Sequence, residues 1–119
     1  MNVVAREILD GLVEKIYENY PELLEKYGEA GKVKCREDVQ HHFRNLDVAF
    51  KLNHSKIFID YSIWLNNVLT SRGMKTEHII DNFQKMQEVL HEPEFAGKAE
   101  FYHICLSEAI QALNQVDKP

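Results

Sequence analysis

The chain has 119 residues, of which 45% are hydrophobic and 28% charged, a length and balance that suit one globular domain rather than a disordered or fibrous chain. Its 14 basic residues face 19 acidic ones, for a net charge of -5. That balance argues against a general electrostatic grip on nucleic acid or an anionic membrane, which depends on clustered lysine and arginine.

Read in order, the apolar spacing predicts a helix from Asn2 to about Asn19, with Ala5, Ile8, Leu9, Leu12, Val13 and Ile16 on one face. Pro21 disfavours helical backbone at Tyr20 and opens a short second helix over Pro21 to Tyr27, closed by Gly28. Gly28 to Gly31 reads as a turn. The next long helix runs from about Lys32 to Lys51, with Cys35, Val39, His42, Phe43, Leu46, Ala49 and Phe50 along its stripe. A short linker then leads into the central helix, from an N-cap at Ser55 to a stop at Gly73. Its stripe takes in Ile57, Phe58, Tyr61, Trp64, Leu65, Val68 and Leu69, so the single tryptophan is expected in the core. Thr76 is the expected N-cap of a helix to about His91. A last helix should run from Pro93 or Glu94 to Gln115, before a frayed Asp117–Pro119 tail. Four long helices, one short helix near the N-terminus and short connections predict an all-α up-and-down bundle forming a single domain.

Two cysteines without a CxxC spacing, no leader-like apolar core and no long apolar run predict a reduced, cytoplasmic chain that does not enter a membrane. Glu88 with His91, Glu100 with His103, and Asp38 with His41 share the Glu/Asp-x-x-His spacing that helical di-metal sites use. The first two pairs project away from their apolar stripes, which argues against such a site. Cys35 and His42 share a face but stand two turns apart, about 10.5 Å, too far for one metal to hold both. No nucleophile elbow, phosphate loop or dinucleotide fingerprint is present. The sequence requires no cofactor and gives little support to catalysis, with a metal-dependent enzyme the least favoured of three readings.

Two sets of residues remain. Asp38 and His42 edge one helix and Asp60 edges the central one beside Tyr61 and Trp64; if these edges meet, they form a polar seam. Such a seam suits a sensory or carrier bundle that takes a small ligand, with haem or a metal among the options; the stronger reading of His42 is a structural histidine whose ring is held by a neighbour such as Asp38 or Asn45. The second set is apolar and lies outside the main stripes: Ile59 and Ile63 on the central helix, Phe101 and Ile104 on the last, and Val48. An Ile59/Ile63 pair on an already amphipathic helix calls for a second contact, either another helix of the chain or a second protein. The leading expectation is a non-catalytic regulatory or protein-interaction module, a homodimer that presents helix faces to a partner. Ligand binding beside His42, Tyr61 and Trp64 is the alternative.

Overall fold

A computed structural model of the chain describes residues 4–116, which form helices and no strand. Asn2 and Val3 of the first expected helix, and the Asp117–Pro119 tail, lie outside the described residues. The helices are α1 (Arg6–Asn19), α2 (Pro21–Leu52), α3 (Lys56–Thr70), α4 (Thr76–Glu88) and α5 (Ala99–Val116), with a single 3-10 turn at Pro93–Phe95. The all-α expectation holds. The chain divides into two compact units between Arg44 and Asn45, inside α2.

In the first unit, α1 buries Leu9, Leu12, Val13, Ile16 and Tyr17, as its spacing requires. Tyr20 is non-helical before Pro21, so α1 stops there and α2 starts at once. The short second helix and the long third one are separated by a single residue, Gly28, whose φ of 67° breaks the helical path. Helix resumes directly after it, so the expected turn over Gly28 to Gly31 shrinks to one position. Gly31 instead lies within the helix, where the Tyr17 hydroxyl of α1 crosses it. A Cβ there would stand 2.8 Å from the Tyr17 oxygen and 2.6 Å from the Tyr27 Cβ. Polar contacts reinforce the crossing. Arg36 Nε donates to Asp10 at 2.6 Å, Lys32 approaches Glu14 at 3.5 Å, and Lys32 Nζ stands 5.6 Å from the Tyr17 ring centre. Each exposed pair of this kind contributes at most about 1 kcal/mol.

In the second unit, α5 packs along both α3 and α4, and α3 also touches α4. The end of α2 joins this unit through Phe50, whose ring meets Phe101 and Tyr102 edge-on at 5.7 and 6.4 Å. Asp47 accepts from Lys51 Nζ at 2.9 Å, Lys98 Nζ at 3.3 Å and the Tyr102 hydroxyl at 3.4 Å. Burial acts to raise the Asp47 pKa, but the hydrogen bonds and charges of Lys51 and Lys98 outweigh it and hold the carboxyl below its ordinary value.

The helix ends differ from the expected caps. Ser55 is helical itself and makes no side-chain cap, so α3 starts without one. Gly73, with φ of 95°, does end the segment, and the Met74 amide returns to the Leu69 carbonyl at 3.0 Å. Thr76 lies inside the first turn of α4 rather than at its cap, and His78 Nδ1 accepts the Lys75 amide at 3.1 Å. The last expected helix is split. Pro93–Phe95 forms the 3-10 turn, Gly97 takes φ of 82°, and α5 begins only at Ala99.

Replacing Gly31 with alanine should destabilise the protein by about 1–3 kcal/mol, because the added methyl meets Tyr17 and Tyr27. Gly11→Ala, on an open stretch of α1 with nothing within 4 Å, should stabilise it by about 0.4–1 kcal/mol. Thermal denaturation of both variants checks the pair, and a neutral Gly31→Ala would refute the close crossing.

Candidate functional site

The site is built on α3, whose inward line is Phe58, Ser62, Leu65 and Asn66. Two of these four are polar, and each has a partner. Ser62 Oγ donates to the Phe58 carbonyl at 2.7 Å, and Thr76 Oγ1 donates to Asn66 Oδ1 at 2.9 Å. Phe58 meets the Phe83 ring of α4 at 5.3 Å. These hydrogen bonds offset the cost of taking the Ser62 hydroxyl and the Asn66 side-chain oxygen out of water. Trp64 lies about 120° round the helix from Phe58. The tryptophan expected in the core is accordingly 59% exposed, which corrects the stripe read from the sequence.

What α3 leaves outside is ordered. Ile57, Tyr61, Trp64 and Val68 follow one another at steps of four, three and four, the spacing of a helix-packing seam. Trp64 is exposed and the other three are half-buried. Tyr61 bridges core and surface, its ring 5.8 Å from Phe58 on one side and 6.1 Å from Trp64 on the other. Every residue from Tyr61 to Ser71 is uncharged. Asp60, expected to line a site with these rings, is exposed and accepts from Lys56 Nζ at 2.8 Å, one turn back on its own helix.

The remaining candidate residues are distributed as follows. Ile59 and Ile63 are half-buried, on the flank of α3 opposite Trp64. Phe101 is half-buried against Phe50, whereas Ile104 is 46% exposed. Asp38 and His42 belong to the first unit, and Asp60, Tyr61 and Trp64 to the second. The Asp38 carboxylate accepts from Lys34 Nζ at 2.8 Å. His42 is buried, and desolvation, aided by the charges of His41 and Lys34, lowers its pKa from 6.5 to about 3. Its imidazole is therefore neutral at physiological pH. Cys35 and Cys105 are both free thiols. Burial pushes Cys35 up to about 12, with the Asp38 charge adding to it, and Cys105 up to about 11, so neither has the character of an activated nucleophile.

Glu88, His91, Glu100 and His103 are all exposed, and His91 Nδ1 contacts the Glu88 carbonyl at 2.8 Å. Among the described residues no three His, Cys, Asp or Glu side chains gather as a metal-binding group. No helix among them is long and apolar enough to cross a membrane. Lys85, which helical periodicity does not single out, is buried on α4 and paired with Asp81 one turn before it. The Asp-x-x-x-Lys spacing is visible in the sequence, but such pairs usually mark solvated faces.

Because His42 binds its proton less readily folded than unfolded, its contribution to stability is complete above pH about 6.5 and is lost as pH falls toward 3. Urea unfolding midpoints should therefore decline across that window. His42→Gln should flatten the decline most clearly above pH about 5, where an aspartate of the unfolded chain is already largely ionised. An unchanged slope in the variant would refute the buried, neutral assignment. Compared with known proteins, the chain matches no family model, no curated protein and no solved structure.

Proposed function

We propose that this chain is a non-catalytic protein-interaction module that binds another protein through the Trp64 flank of α3. The observation that carries this reading is the exposure of its only tryptophan, in line with Ile57, Tyr61 and Val68. Tryptophan and tyrosine contribute disproportionately to binding energy, because each offers a large rigid apolar area with a polar handle. An uncharged stretch is also what the centre of an interface needs, since desolvating it carries no ionic penalty. The Lys56–Asp60 pair beside the ridge is exposed and suits a polar rim. This reading puts the contact on a different flank of α3 from Ile59 and Ile63, which are covered to a similar degree as Ile57, Tyr61 and Val68.

A photo-cross-linking residue at Asn67, exposed beside the ridge, tests the proposal when the protein is produced in its own cell. A discrete cross-linked species should form from Asn67 and not from Gln111 on α5, which is also exposed. Trp64→Ala, placed in the same protein, should reduce its yield about tenfold. Equal labelling from both positions, or none from Asn67, would overturn the interaction reading.

A further inference from the structure

The four residues of the ridge read the same in both directions. In order they are aliphatic, aromatic, aromatic and aliphatic: Ile57, Tyr61, Trp64 and Val68. Their spacing of four, three and four is itself symmetric about a point between Ser62 and Ile63. Laid antiparallel on its own copy, such a ridge sets an aliphatic residue against an aliphatic one and an aromatic against an aromatic one at every contact. Resting on the reading of α3 as an interaction face, we infer that its partner is a second copy of this chain, with the two α3 helices antiparallel about a two-fold axis at that point.

The pairing follows from the symmetry. Ile57 of one copy meets Val68 of the other, and Tyr61 of one meets Trp64 of the other, each contact occurring twice as an isologous interface requires. The seam extends about 16 Å along the helix. A parallel arrangement would stack Tyr61 on Tyr61 and Trp64 on Trp64, giving one thin layer and one thick one. The antiparallel arrangement makes two layers of equal volume, which close packing favours. It also sets the positive end of each helix dipole beside the negative end of the other. Like charges are kept apart, because Lys56 of one copy falls opposite Leu69 of the other, about 20 Å along the axis from its own counterpart. In the parallel case the two Lys56 side chains would be neighbours.

A ridge of four side chains is smaller than the ~800 Å² per partner of a standard interface, so the dimer should be weak, with a Kd on the order of 10 µM. Sedimentation velocity of the full chain from about 1 to 500 µM should show a monomer–dimer equilibrium across that Kd. The Trp64 emission should shift to shorter wavelength as dimer forms. Trp64→Lys and Tyr61→Glu should each weaken association by about tenfold or more, with helicity retained by circular dichroism. Mixing the two variants should restore the dimer. In the mixed pair the carboxylate introduced by Tyr61→Glu in one chain faces the ammonium introduced by Trp64→Lys in the other, while the second Tyr61–Trp64 contact remains intact. A chain that stays monomeric at the highest concentration would overturn self-pairing, while a cross-link from Asn67 to a different protein would still uphold the interaction reading. A dimer unaffected by Trp64→Lys would place the contact elsewhere and overturn this inference. Should Tyr61→Glu lose helicity, Tyr61→Ala replaces it as a single variant: it should weaken association by about tenfold with helicity retained, and an unchanged dimer would overturn the pairing.

Discussion

The Phe58–Phe83 ring contact and the hydrogen bond from the Thr76 hydroxyl to Asn66 Oδ1 together hold one face of α3 inward, and much of the second unit depends on that rotation. A buried asparagine left without a partner costs on the order of 1–3 kcal/mol. The bond therefore allows Asn66 to face inward at almost complete burial, and it ties the end of α3 to the start of α4. Ser62 donates one turn earlier to the Phe58 carbonyl, so its hydroxyl is paired within α3. With Asn66 and Ser62 inside, Trp64 has no place in the core. Its exposure is a geometric consequence of turning Phe58, Ser62, Leu65 and Asn66 inward.

That outcome connects packing to the proposed interaction. Apolar residues wrap around more of α3 than one core contact can cover, so a flank of them remains outside. Tyr61 links the two environments: its ring lies against buried Phe58 and against exposed Trp64. The flank is therefore held in shape by the core instead of standing free, and an aromatic surface ordered before binding loses little entropy on association. Burial elsewhere removes chemistry. His42 is neutral and enclosed, and the two thiols are raised far above the range in which they would react.

The first unit relies on close approach. Gly31 admits the Tyr17 hydroxyl, and Lys32, Glu14, Arg36 and Asp10 connect α1 to α2 around that point. Gly28 has a different task, reversing the sign of φ so that the chain can change direction between two helical stretches. Two glycines three residues apart thus serve different physical ends, and composition cannot separate them. Helical spacing can flag both as breakers, but only the neighbour at Gly31 shows why that position carries no side chain.

Sequence alone determined the all-α class, the approximate extent of the helices and most of their buried faces. These follow from local periodicity and from backbone limits at Pro21, Gly28 and Gly73, which act within one or two turns of chain. It also identified Tyr61 and Trp64 as neighbours on one helix. The tertiary structure decided what periodicity leaves open: which of two overlapping apolar arcs of α3 turns inward, that Ser55 and Thr76 do not cap, and that Gly97 delays the last helix to Ala99. The reason is the range of the forces involved. Helix formation is read from residues a few positions apart, whereas helix rotation is set by contacts such as Asn66 with Thr76 and Phe58 with Phe83, between segments that meet only after folding.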